Sequence, residues 1–457
     1  MRTTPAPTTG TSWLDGACDA FVAGMPSQFE RLTWSADRLR VHQHGQLQRL
    51  LTAAIEGSAF HRARLSGIDP KTVTLDDLAT VPVMTKSDMM RSYDEVVTDP
   101  RLTREVVDRH LRGLSEDPVL LFDQFLPLVS GGSSGERGVF VYTRDTVVPY
   151  VSAVLRTGLA TVASMIGWPP PMRIPIALAA APTAIHATGA TAHLLDSIAT
   201  LTRAPVTLPF DEILSRVAAA QPMLLVGYPS MIAELADAQA AGRLDIAPIA
   251  ITVTSEQLTA ELATRITTGF GVAPSNSFGS SEGCHGIAAP GSDEFVFASD
   301  YVIMEFVDEN DKAVPVGTTA NHVLITNLFN PVQPLIRYRL DDRMTPLPAV
   351  DHHGHQRATL AGRNDTVVHI DGTLVHTLAI RTALLRHPTI REHQTVVGPQ
   401  GLTIRVAADG SVDTDRAASD VASNLSASGA ASAVEVVVVD AIQRDAHTGK
   451  VQHTVRM

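Results

Sequence analysis

Met223-Leu224-Leu225-Val226-Gly227-Tyr228-Pro229-Ser230-Met231-Ile232-Ala233-Glu234-Leu235-Ala236 decides the fold class of this chain. Four apolar residues, a Gly-Tyr-Pro-Ser break and an Ala/Leu-rich run through Ala241 predict a buried strand, a tight turn and a helix. The pattern recurs on both sides. Arg173 to Ala180 predicts a strand, Ile213 to Ala220 a helix, and Ile249 to Val253 the next strand. Strands alternating with helices imply an α/β architecture with a largely parallel sheet.

Outward from this centre the pattern changes. From Ser35 to about Leu65, residues Leu39, Leu47, Leu50, Leu51, Ala54 and Ile55 recur at helical spacing and predict one or two amphipathic helices. Thr85 and Ser87 can cap a helix starting near Lys86. Val119 to Val129 and Val139 to Tyr142 predict strands flanking a Gly/Ser loop, and Val323 to Thr326 and Leu335 to Tyr338 predict two more. After the Gly/Pro/His-rich patch Pro346 to His355 comes a strand (Thr366 to Ile370), then a helix (Leu378 to Arg386) and a strand. A further helix (Asp415 to Leu425) and strand (Val434 to Val439) complete a small α+β module. The boundary falls at Ala361 to Asp365, giving a large domain over 1–361 and a small one over 362–457. The first ten residues are Pro/Thr-rich and are expected to fray.

At 457 residues the chain exceeds one compact core. Its 36 basic and 48 acidic residues give a net charge of -12, which argues against a nucleic-acid footprint. An anionic ligand stays compatible, because backbone dipoles hold phosphate inside acidic proteins. Two cysteines, Cys18 and Cys284, exclude a disulfide framework, and Met1-Arg2-Thr3-Thr4-Pro5 opens no apolar leader. A reducing cytoplasm is the expected location. Ile174 to Leu201 is apolar but interrupted by Pro182, His186, His193 and Asp196, so it reads as core and not as a membrane span.

Five motifs carry chemistry. Ser130-Gly131-Gly132-Ser133-Ser134-Gly135-Glu136-Arg137-Gly138 lets the backbone approach a phosphate, though without the Gly-Lys-Ser/Thr ending of a Walker loop. Ser277-Phe278-Gly279-Ser280-Ser281-Glu282-Gly283 joins an aromatic ring, hydroxyls and a carboxylate, a set suited to a base, a phosphate and a magnesium ion. Pro334-Leu335-Ile336-Arg337-Tyr338-Arg339-Leu340-Asp341-Asp342 offers carboxylates for ribose hydroxyls, and arginines for phosphate or local ion pairs. Gly362-Arg363-Asn364-Asp365 lies at the domain boundary, and Thr448-Gly449-Lys450 near the last residue. Each alone reads equally as a solvated turn, a charged strand end or a polar linker.

Their order resembles the acyl-adenylate-forming (AMP-binding) superfamily, and within it the phenylacetate–CoA ligase branch. Phe60-His61-Arg62-Ala63-Arg64-Leu65, Asp76-Asp77-Leu78, Val81-Pro82-Val83-Met84-Thr85-Lys86 and Gly227-Tyr228-Pro229-Ser230 are similar to that branch too. The resemblance implies a large adenylate-forming domain of layered sheets and helices with a small mobile α+β lid. It implies ATP, Mg²⁺ and coenzyme A as cosubstrates and cofactors, a small aromatic carboxylic acid as substrate, and no nucleic-acid or membrane partner. Homodimers are common among such relatives.

Carried over, the resemblance puts Ser130, Ser133, Ser134 and Gly135 around the ATP phosphates. Ser255, Glu256, Asn276, Ser277, Phe278 and Ser281 line the nucleotide site, with Phe278 where tyrosine is usual. Glu282 becomes the magnesium ligand, Asp342 the ribose acceptor, Arg363 a nucleotide contact and Asp365 the hinge. Lys450 reaches the carboxylate and α-phosphate, and His186, Tyr228 and Gly279 meet the acid.

The chain departs from the pattern at Arg137, which takes over from a loop lysine, and at Asp341, where glycine is usual. His369 and Thr377 stand where lysine and proline are common, on the side serving thioester formation. This keeps a second reading open, transfer of the acyl group to an amine or carrier protein in secondary metabolism. A third is a degenerate nucleotide- or acid-binding protein without turnover. Cys284-His285 supplies only two of the four ligands a structural zinc needs.

Overall fold

The computed structural model describes residues 12–113, 119–130, 138–180, 194–195, 198–350, 353–361, 367–370, 372–384, 386–398, 401–442 and 454–456. Three helices come first, Ser12–Arg31, Ala36–Gly57 and Ala59–Arg64. Ser35 caps the second and Ser58 the third through hydroxyls that accept from the amides of Arg38 and His61. The predicted amphipathic stretch is therefore two helices broken at Ser58. Thr85 opens the helix Lys86–Arg91 with a full capping box to Asp88.

Strands β1 (Phe125–Val129) and β2 (Val139–Thr143) form an antiparallel hairpin. Next come β3 (Ile174–Ala179), β4 (Ala199–Arg203), β5 (Leu224–Gly227), β6 (Ala250–Thr254) and β7 (Ser275–Gly279). Helices Phe210–Ala220, Pro229–Ala240 and Ala260–Phe270 connect β4 to β5, β5 to β6 and β6 to β7. Then follow β8 (His285–Ala288), β9 (Glu294–Phe297), β10 (Val302–Val307), β11 (His322–Asn327), β12 (Tyr338–Leu340), β13 (Met344–Pro346) and β14 (Arg357–Leu360). A nine-stranded sheet runs β13-β14-β9-β8-β7-β6-β5-β3-β4, and β10-β11-β12 form a separate sheet. The large sheet is parallel from β7 to β4, as the alternation predicts, and antiparallel from β7 to β13. The strand expected over Leu335 to Tyr338 begins only at Tyr338. Arg337 takes a left-handed φ of 49°, which ends any extended run before it.

In the small unit, β15 (Val367–Ile370) and β16 (Thr373–His376) make a hairpin ahead of the helix Leu378–Leu384. Strands β17 (Ile390–Gly398), β18 (Gly401–Ala408), β19 (Val434–Val438) and β20 (Thr454–Arg456) form a sheet in the order β19-β18-β17-β20, with helix Thr414–Ala427 packed on it. Its core, including Ile380, Ile404, Val421 and Leu425, draws on residues from Val368 to Val436. This is the α+β module expected from the sequence.

The helix Arg144–Ile166 is long and apolar enough to cross a membrane by length and composition, and half of its most apolar window is buried. It also carries Arg156, sealed inside and paired in bidentate fashion to Asp300 at 2.7 and 2.6 Å. Arg31 approaches the same carboxylate at 3.5 Å. Arg156 and its neighbours lower the Asp300 pKa against the opposing effect of burial. Removing one partner of such a pair strands a buried charge. Asp300→Ala is expected to destabilise the fold by about 3–5 kcal/mol. Breaking the exposed Arg38–Glu30 pair by Glu30→Ala is expected to cost under ~1 kcal/mol. Denaturant unfolding of both variants checks this, and equal losses would contradict it.

Candidate active site

The carboxyl ends of β5, β6 and β7 lie side by side, with Val226 opposite Thr252 and Thr254 opposite Ser277. In parallel α/β sheets this edge is where ligands bind. Tyr228 leaves β5 buried, Ser255 and Glu256 leave β6, and Asn276, Ser277, Phe278 and Gly279 form the end of β7. Ser255 takes a left-handed φ of 69°, and this bend directs Glu256 back across the sheet. One Glu256 carboxylate oxygen accepts from the Ser230 amide at 3.2 Å and its hydroxyl at 2.7 Å. The helix Pro229–Ala240 has no side-chain cap from Tyr228, so Glu256 supplies the negative charge its N-terminus favours. A protein carboxylate thus occupies the helix end that phosphate would otherwise seek.

Past β7 the chain folds into a tight turn. The Ser280 amide donates to the Cys284 carbonyl at 3.0 Å, and the Gly283 amide to the Ser280 carbonyl at 3.0 Å. Gly283 has φ 95°, and a Cβ there would stand 2.4 Å from Asn327 Nδ2. The turn is tied on three sides. Tyr142 donates its hydroxyl to the Ser281 carbonyl at 2.6 Å, Ser281 Oγ donates to the Val129 carbonyl at 3.5 Å, and Asn327 Nδ2 donates to the Glu282 carbonyl at 2.8 Å. Val129 is the last residue of β1, beside Ser130. Ser130 and Gly138 close the mouth of the hairpin loop through N–H···O bonds of 3.0 and 2.9 Å. Ser281, next to Glu282, therefore ties this turn to the base of the Gly/Ser loop. The Glu282 side chain is almost fully buried, yet among the described residues its carboxylate has no ion pair and no hydrogen bond.

Residues far back in the chain brace the strand that leads to Asp342. His61 Nε2 pairs with the Pro334 carbonyl at 2.9 Å, and Arg64 donates to the carbonyls of Ile336 (2.8 Å) and Pro82. Arg337 pairs with Glu305 at 3.0 Å and donates to the carbonyls of Ala79 and Val81. The Met84 amide donates to the Arg337 carbonyl, and the Arg339 amide to that of Met84. Arg337 and Arg339 thus form the local ion pairs, the latter with Asp341 at 2.9 Å. Asp342 lies half-buried in the loop between β12 and β13.

The structure ties the Ser281-Glu282 turn to Val129, the residue before Ser130, and sets Tyr228, Ser255, Glu256 and Asn276 to Gly279 along one sheet edge. Phe278 is buried, edge-on to Phe297 at 5.9 Å. Ser133, Ser134, Gly135, His186, Arg363, Asp365 and Lys450 lie outside the described residues. Cys18 and Cys284 form no disulfide, and among the described residues no group of three or more His, Cys, Asp or Glu is placed to hold a metal. Sequence reasoning missed Asn327, Asn330 and Gln333. Asn330 donates to the Val141 carbonyl, and Gln333 bonds the Val139 carbonyl and Val141 amide, completing the free edge of the hairpin. The signal was there as buried amides within the apolar run Asn327 to Leu335.

No family model and no curated protein sequence matches the chain. Solved structures do match. A 2-hydroxyisobutyryl-CoA ligase in the postadenylation state, in complex with R3-HIB-AMP, superposes with a TM-score of 0.58 at 18% identity, covering 93% of this chain and 91% of that one. The chain has the fold of the acyl-adenylate-forming enzymes. The same ligase with 2-HIB-AMP and CoA superposes at 0.56 in its thioesterification state and 0.55 in an open conformation, both at 18% identity and covering 93% of this chain. The likeness covers 91% and 93% of those chains respectively.

Two buried histidines set an acid limit on the fold. Burial, with the Arg64 charge, pushes His61 down to about 3. Burial does the same to His285, with the Arg156 charge adding and the Phe278 backbone opposing. Unfolded, both titrate near the ordinary 6.5. Between those values the unfolded chain binds more protons, so stability is complete above pH ~6.5 and falls as pH drops toward ~3. Each histidine contributes a slope of about 1.4 kcal/mol per pH unit. His61→Gln is expected to make unfolding free energy less steep with pH by that amount, and an unchanged slope would contradict the assignment.

Proposed function

We propose that this chain activates a small carboxylic acid with ATP, forming an acyl-adenylate and pyrophosphate, and then passes the acyl group to the thiol of coenzyme A. The observation that carries the reading is the Glu282 side chain, buried with no cation beside it among the described residues, in a turn that Ser281 fastens to Val129 at the end of β1. A buried carboxylate in that position needs a cation. With no cluster of protein ligands beside it among the described residues, a Mg²⁺ shared with phosphate oxygens suits it, since magnesium binds through one or two carboxylates plus substrate. Magnesium there would neutralise phosphate charge as two anions meet.

In this reading the acid's carboxylate oxygen attacks the α-phosphorus and the bond to the β-phosphate oxygen breaks, so pyrophosphate leaves. The hairpin loop from Ser130, with Ser133, Ser134 and Gly135, holds the phosphates. Glu256 closes the neighbouring helix N-terminus to them, and that directs the phosphates toward the hairpin and the base toward Ser255, Asn276, Ser277 and Phe278. Asp342 takes the ribose hydroxyls. Lys450 stabilises the charge at the α-phosphate, and rotation of the small domain about Asp365, with Arg363 beside it, then clears the site for the thiol. The fold likeness supports this, because the matching ligase carries acyl-AMP and CoA. The ordered motifs favour the phenylacetate–CoA ligase branch and an aromatic acid held near Tyr228, Gly279 and His186.

Acid-dependent exchange of labelled pyrophosphate into ATP tests the first half-reaction across benzoic, hydroxybenzoic, aminobenzoic, phenylacetic and short aliphatic acids. Exchange is expected with one class, and none with any class in folded protein would overturn the reading. Lys450→Ala is expected to slow exchange by ~100–1000-fold while sparing thioester formation from pre-made adenylate. Asp365→Pro is expected to leave exchange intact and cripple transfer. Equal losses in both half-reactions would remove the roles given to these two residues.

A further inference from the structure

Three residues beyond Glu282, His285 begins β8 directly opposite Gly279. Its ring lies edge-on to Tyr150 at 4.9 Å and covers Gly279, where a Cβ would stand 3.2 Å from Nδ1. Tyr150 packs in turn against Tyr142 at 4.9 Å with the rings tilted by 41°, and Phe329 closes the cluster at 6.0 Å from Tyr142 and 6.4 Å from Tyr150. The surroundings are aromatic, and among the described residues neither buried imidazole nitrogen meets a partner in good hydrogen-bond geometry, the Phe278 backbone giving the ring only partial support. Leaving a buried polar group unmet costs about 1–3 kcal/mol, and phenylalanine would fill an aromatic cluster without that loss. Burial also holds the ring neutral, so it carries one N–H donor and one bare acceptor nitrogen.

We propose that His285 is the polar specificity determinant of the acyl pocket and selects acids bearing a neutral hydrogen-bonding substituent, such as a hydroxyl. The inference rests on the adenylation reading for its placement. That reading holds the acid near Gly279, and the His285 ring lies over Gly279. A neutral imidazole in an aromatic wall has little to offer a purely hydrocarbon acid. It satisfies both itself and a hydroxyl, which donates to one ring nitrogen or accepts from the other. Sites built around such a group reject the analogue that lacks it far more strongly than apolar pockets reject an extra methyl. Because the ring nitrogens are sealed in the structure, the hydroxyl reaches them only as the side chains around Tyr150 and Gly279 adjust to the acid.

The test is equilibrium binding, by calorimetry on the full chain, of paired acids differing only by hydroxyl against methyl, in aromatic and short aliphatic series. Wild type is expected to bind one hydroxy acid more than ~10-fold tighter than its methyl partner. His285→Phe is expected to bring that ratio to near one, and His285→Asn to retain part of it, with ATP affinity unchanged in both. His285→Phe is also expected to keep or raise the melting temperature of the ligand-free protein, since an unmet polar group is removed. An unchanged ratio, an equal loss for both acids, or no binding of either kind would overturn the proposal. Pyrophosphate exchange with the best-bound acid is read separately. If exchange is absent while the His285-dependent preference holds, the adenylation reading fails and the pocket assignment stands.

Discussion

A hydroxyl–carbonyl bond from Tyr142 to Ser281 at 2.6 Å, the shorter of two such bonds, joins the β1–β2 hairpin to the turn that follows β7. The parallel sheet fixes where β7 ends and Gly283 forces the turn tight. Asn327 then ties that turn to the second sheet, so one buried carboxylate is held between three structural units. Among the described residues no cation meets that carboxylate, and burying a carboxylate uncompensated is costly. In the proposed reading that cost is offset by a bound cation and phosphate.

The same economy governs the helix end at Ser230. A helix N-terminus at the carboxyl edge of a parallel sheet attracts phosphate, but here Glu256 fills it. In the proposed reading, filling this helix end with a carboxylate leaves the hairpin loop as the place for phosphate; the left-handed bend at Ser255 is the local strain that brings Glu256 there.

Much of this was readable from the chain. The strand–helix alternation around Met223 to Ala241 predicted the parallel sheet because its periodicity reports burial directly. The Gly/Ser loop and the Ser281-Glu282 pair stood out in the sequence by the order of the motifs and not by either motif alone; the structure describes the pair and the residues at the base of the loop. Other features depend on contacts remote in sequence. His61, Arg64 and the Val81 to Met84 stretch look like part of a functional signature, yet they serve as a brace for the strand leading to Asp342, across more than 250 residues. The amides Asn327, Asn330 and Gln333 stand out in sequence only as polar residues in an apolar run, because their roles, Asn327 tying the Glu282 turn and the other two completing the edge of β2, depend on remote partners. Arg337 was open between phosphate and ion pair until Glu305 appeared beside it. His285 was visible only as a histidine near a motif, and its unmet nitrogens emerge only once Tyr150 and Gly279 are packed around it.

The most direct measurement of the central claim follows an oxygen atom. The accepted acid, labelled with ¹⁸O in its carboxylate, is incubated with the enzyme, ATP, Mg²⁺ and coenzyme A, and the phosphorus products are analysed by mass spectrometry. If the carboxylate attacks the α-phosphorus and AMP is then displaced by the thiol, AMP carries one ¹⁸O atom and pyrophosphate carries none. Label in inorganic phosphate with ADP as the nucleotide product would place the attack on the γ-phosphorus, and would contradict acyl-adenylate formation at this site.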